Sequence, residues 1–142
     1  MIFIHAKAKG SRLSASALQD VCGQATKNLT FLSPYNQHKP PNLRIWDGGW
    51  DGGKIGVVDK RIILGKGSGE KLWERIQLLL RDPATRREVW ILLGRTLSLS
   101  EFERSRTAQT PTAETIQILF LLQSTWANVS SVGTRLRVFC SP

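Results

Sequence analysis

The sequence predicts an α+β or α/β fold: one domain over residues 1–142, with a mixed β-sheet flanked by about three or four helices. Three observations lead there. Thr134, Leu136, Val138 and Cys140 alternate with Arg135, Arg137 and Phe139, the period of two expected of a strand with one buried face. Several other segments repeat apolar residues at three- and four-residue steps, the spacing of one helix face. Pro- and Gly-rich stretches between residues 33 and 69 break the regular elements apart. The chain has 142 residues, 41% of them hydrophobic, which supplies a real core without a metal or disulfide staple.

The apolar run Ile2–Ala6 predicts a first strand. A helix follows from about Ser14 to Lys27, because Leu18, Val21, Cys22 and Ala25 fall on one face and Ser14 or Ser16 can cap the first turn. Leu29–Leu32 is expected to be a short strand. Prolines in residues 33–42 remove backbone donors and make that stretch a loop. After the apolar run Leu43–Trp46 comes "DGGWDGG", whose Gly-Gly pairs permit tight turns. Lys54–Val58 and Arg61–Gly65 are expected as two strands of a hairpin turning at Asp59-Lys60, although that turn lacks the usual glycine.

A helix is expected from about Gly69 to Arg81, with Glu70 and Glu74 near its positive end and Arg81 near its negative end. Residues 82–85 break it, and Glu88–Leu93 reads as a buried strand. Strand, helix and strand across 61–93 then suggest a right-handed βαβ crossover. Ser98–Arg106 predicts a short helix capped by Ser98 or Ser100. Thr110-Pro111 is expected to open a longer helix, ending near Asn128, that presents Ile116, Leu119, Phe120, Leu122 and Trp126 as its apolar face.

The formal charge is +9, which raises the expectation of a polyanionic partner. Residues 1–66 carry ten Lys/Arg against four acids, so most of the excess lies in the first half. Arg44, Lys54, Lys60, Arg61 and Lys66 are interleaved with Trp46 and Trp50, which sit in a polar, turn-rich segment. Single-stranded nucleic-acid binding uses such a mixture: charges hold the backbone and rings hold the bases. Trp73, Trp90 and Trp126 lie in apolar settings and are expected in the core. Arg135 and Arg137 share the exposed face of one strand and, like Arg86-Arg87, are further phosphate candidates.

The loop Gly65, Lys66, Gly67, Ser68, Gly69 is a candidate phosphate cradle, since glycines admit an anion to backbone N–H groups at a helix start. Its spacing fits neither the P-loop nor the dinucleotide fingerprint, and Glu70 stands close to the anion's place, so a strand-to-helix turn with Ser68 as N-cap is the first expectation. Ser68 and Lys71 form an SxxK pair without the SDN and KTG companions of penicillin-binding enzymes. His5 and His38 have no local cluster of ligands, so no metal or cofactor is expected, although Asp47, Asp51 and Asp59 could meet at a hairpin end and hold Mg²⁺. Cys22 reads as a small core residue and Cys140 as a strand end, and their spacing fits neither a zinc site nor a disulfide framework. The apolar run at the N-terminus is too short for a signal peptide. The longest apolar stretch, Ile118–Leu122, falls far below the about 20 residues of a membrane span, so a cytoplasmic protein is expected.

The sequence favours a small non-enzymatic module that binds nucleic acid, single-stranded in preference, through Arg44, Trp46, Trp50, Lys54, Lys60, Arg61 and Lys66. One alternative is a bacterial or mobile-element interaction protein that inhibits or regulates a larger DNA-transfer or replication machine. A weaker one is a phosphate-handling enzyme or metal-dependent nuclease.

Overall fold

The computed structural model describes residues 1–7, 13–35, 38–53, 56–65 and 67–142. Along the chain run β1 (Ile2–Ala6), α1 (Ala15–Asn28), a 3₁₀ turn (Leu29–Leu32), a second 3₁₀ turn (Leu43–Asp47), β2 (Trp50–Asp51), β3 (Val57–Val58), α2 (Gly69–Arg81), β4 (Glu88–Ser98), α3 (Leu99–Arg106), α4 (Ala113–Ser131) and β5 (Arg135–Ser141). Among the described residues, four helices with both parallel and antiparallel strand pairs make the α+β class that the sequence predicts. The paired strands form a parallel sheet and a separate antiparallel ribbon, and Leu13 adds an isolated antiparallel bridge to Leu97 of β4. The chain divides into two compact units, one of Met1–Leu32 with Arg86–Pro142 and one of Ser33–Thr85.

In the first unit β4 runs between β1 and β5, parallel to both. Val89, Ile91 and Leu93 point inward from β4 and are fully buried; α1 packs on β4, and α4 packs on α1 and β5. Each such side chain stabilises the unit by about 1.5–3 kcal/mol. Ser14 caps α1, its Oγ accepting from the Ala17 N–H at 3.3 Å, and Leu18, Val21, Cys22 and Ala25 are buried as the spacing predicts. The Ala15 N–H donates to the carboxylate of Glu114, which ties the start of α4 to the start of α1. Cys22 and Cys140 are both free thiols, and burial raises the pKa of each above its ordinary value.

Four expectations are corrected in this unit. Leu29–Leu32 is a 3₁₀ turn and not a strand: its buried residues, Leu29 and Leu32, stand three apart, a helical spacing. Pro111 precedes the helix instead of opening it, because Thr112 is the cap and accepts from the Thr115 N–H at 3.2 Å. The buried face of α4 is Thr115, Ile118, Thr125 and Val129, whereas Ile116, Leu119, Phe120 and Trp126 are exposed. Apolar residues line two sides of this helix, so periodicity alone cannot choose between them. Threonine suits the buried side because its hydroxyl finds local partners: Thr125 donates to the Leu121 carbonyl at 2.7 Å, and Thr115 meets Ser105 Oγ at 2.6 Å.

The fourth correction concerns Trp90, which lies half-buried on the outer face of the sheet. Its ring tilts against Phe139 at 5.1 Å, and its indole N–H donates to Glu88 at 2.7 Å. That bond, with the Arg137 ion pair at 2.9 Å, holds the Glu88 carboxyl below the usual range. Arg135, Arg137 and Phe139 do face outward as the alternation predicts, together with exposed Ile2 and Ile4.

In the second unit the ribbon pairs β2 with β3, Trp50 opposite Val58 and Asp51 opposite Val57. The strand expected at Arg61–Gly65 does not form; Ile63 and Leu64 are exposed, and no strand among the described residues pairs with them. The βαβ crossover over 61–93 therefore does not form either: the parallel neighbours of β4 are β1 and β5. Lys54 and Ile55, in the other expected strand, lie outside the described residues. α2 begins and ends as predicted, capped by Ser68 and stopped at Asp82, with Trp73 and Leu80 buried.

Candidate nucleic-acid interface

The site is built by the repeated "WDGG" of residues 46–53, whose two copies take different roles. Asn42, in the left-handed region at φ 62°, leads into the 3₁₀ turn, where Leu43 is buried while Arg44 and Ile45 face out. Trp46 is half-buried, its Cβ against Gly69. Asp47 accepts the Gly69 N–H at 2.6 Å. A Cβ on Gly69 would collide with the Leu43 carbonyl oxygen, so only glycine lets the 3₁₀ turn approach the helix start so closely.

The second copy closes on itself. Asp51 accepts the Gly53 N–H at 2.8 Å in a local turn. Gly52 donates to the Gly56 carbonyl at 3.0 Å, and Gly53 and Gly56 supply the positive φ angles of the reversal. The Trp50 ring lies over Gly52, where a Cβ would meet ring carbons at 2.8 Å. Even so, 44% of Trp50 is exposed.

Arg61 is brought to this ring by one bond to the first copy and one to Ile45 just before it. Its backbone N–H donates to the Gly48 carbonyl at 3.1 Å, and its guanidinium donates to the Ile45 carbonyl at 2.9 Å. Ile45, Trp50, Val58 and Arg61 line an open concavity of about 550 Å³. A second, of about 420 Å³, is lined by Lys39, Pro40, Asn42, Leu43, Arg44, Ile45 and Glu70. Ile45 belongs to both, so an exposed ring and three cationic side chains border neighbouring hollows.

Of the residues singled out in the sequence, Trp50 and Arg61 share a hollow, Arg44 borders the next, and Lys60 is exposed. Trp46 is drawn toward the α2 start. Lys54 and Lys66 lie outside the described residues. Lys39, Ile45 and Val58 were not singled out; the proline-rich loop around Lys39 carries no periodic signal from which its partners can be read.

The glycine-rich loop serves the helix. Gly65 and Gly67 hold φ near +122° and +123°, and Ser68 Oγ accepts from the Lys71 N–H at 3.4 Å. The first helical N–H, where a phosphate oxygen would be received, is bonded to Asp47. Asp47 and Asp51 each serve a backbone N–H, and among the described residues no three His, Cys, Asp or Glu side chains gather as metal ligands. Among the described residues no helix is long and apolar enough to cross a membrane. No protein-family model, curated protein or solved structure matches the chain.

Proposed function

We propose that the chain is a non-enzymatic module for single-stranded nucleic acid, which stacks an unpaired base on Trp50 and holds neighbouring phosphates with Lys39, Arg44, Lys60 and Arg61. The observation that carries this reading is the half-exposed Trp50 ring, backed by Gly52 and set in one hollow with Arg61. A ring buttressed on one face and open on the other suits a base, because every base has a π-face. The chain's +9 charge supports long-range attraction of a polyanion. Lys54 and Lys66 join the proposed set on sequence position alone.

Fluorescence anisotropy with labelled single- and double-stranded DNA and RNA at two salt concentrations tests the proposal. Single strands should bind more tightly than duplexes, with log K falling by about 0.7 per phosphate contacted for each unit of log salt. Absence of binding at low salt, or metal-dependent cleavage of the probe, would overturn it.

A further inference from the structure

The exposed side of α4 is apolar, uncharged and self-complementary, and we infer that it is the contact surface for a second copy of this chain. Phe120 is 73% exposed and Ile116 55%, on the side opposite the buried Ile118, Thr125 and Val129, with Leu119 at 39% and Trp126 at 60% on the flank between. The two aromatic rings alone present roughly 250–300 Å². With their neighbours they supply the apolar centre of an interface of about 800 Å² per partner, the size of a stable dimer contact.

Two features select a second copy over another occupant. The first is charge. From residue 107 to residue 134 the only charged side chain is Glu114, and it is bonded to the Ala15 N–H. In a chain of net charge +9 this is a surface where two copies can meet without bringing like charges face to face.

The second is pattern. Ile116, Leu119, Phe120, Gln123, Ala127 and Ser130 recur at three- and four-residue steps along one stripe, with Trp126 at its edge; Gln123 is the midpoint. In an antiparallel pair with its two-fold axis at Gln123, Phe120 packs against the partner's Ala127 on one flank and Leu119 against the partner's Trp126 on the other. Ile116 then meets the partner's Ser130, so Ile116 and Phe120 each face a small side chain along the stripe. Gln123 meets its own copy, and each amide supplies the donor and the acceptor that the other needs. A surface that complements itself under a two-fold rotation is what an isologous dimer requires.

Sedimentation of the full chain from about 1 to about 100 μM spans the affinity expected of such a contact. The mass should rise two-fold across this range, and Phe120→Glu should keep it at the monomer value. Phe120 is exposed, so circular dichroism should report an unchanged fold. Gln123→Glu should dissociate the pair at neutral pH and restore it below about pH 4, where the two facing carboxyls are protonated. Gln123→Cys, with Cys140 replaced by Ser, should cross-link to a dimer on mild oxidation. A monomer throughout the range, a dimer that Phe120→Glu leaves intact, or failure of the Gln123→Cys cross-link would overturn the inference. None of these outcomes depends on nucleic acid, so this inference and the proposed function fail separately.

Discussion

The two "WDGG" copies, four residues apart, show how one short motif divides between scaffold and surface. In the first, Trp46 and Asp47 turn toward the start of α2 and hold it against the 3₁₀ turn. In the second, the Asp51 carboxylate accepts from the Gly53 N–H of its own turn, and Trp50 is left 44% exposed. What separates them is the neighbour each one finds. Gly69 admits the first copy because it lacks a Cβ, whereas the Trp50 ring packs on Gly52 of its own copy. Identical residues thus stabilise the unit in one place and remain available for a ligand in the other.

The contrast can be broken most severely at Gly69. Gly69→Ala should cost about 2 kcal/mol in denaturant unfolding, since its Cβ meets backbone, and a helix preference of about 1 kcal/mol offsets only part of the strain. A substitution without measurable cost would mean that the first copy does not hold the helix start. Asp47→Ala should destabilise by about 1 kcal/mol, the worth of a carboxylate at a helix N-terminus. Asp51→Ala should lose less than about 0.5 kcal/mol, because it removes one exposed local bond. Equal losses at the two aspartates would erase the distinction drawn between the copies. The smallest effect is expected at Lys60: Lys60→Gln should weaken single-strand binding by a few-fold for all sequences and make the salt dependence shallower by about 0.7.

Much of this architecture was legible where a local rule and the fold agreed. The bounds of β1, the caps Ser14, Ser68 and Ser98, and the span of α2 each follow from a capping side chain or a clear period. The face of α4 was not legible, because both sides are apolar and the choice depended on which one found the sheet. Arg61–Gly65 resembled a strand by composition, yet a strand needs a partner, and that pairing is set by tertiary contacts. The candidate site was half legible. Composition marked Trp50 and Arg61, but their meeting depends on a bond from Arg61 to Ile45, sixteen residues away in sequence. Lys39 comes near Arg44 in space through a loop whose conformation no periodicity encodes.

The account's central claim rests on the Trp50 ring, and the affinity of Trp50→Ala for a labelled single-stranded oligonucleotide at low salt tests it most directly. The variant should stay folded at a cost of about 1–2 kcal/mol, the packing of a half-buried ring on Gly52. It should bind at least about tenfold more weakly, the worth of one stacked base, while Trp50→Phe recovers much of the loss. Unchanged affinity in a folded Trp50→Ala variant would contradict the claim and leave charge alone to explain any binding.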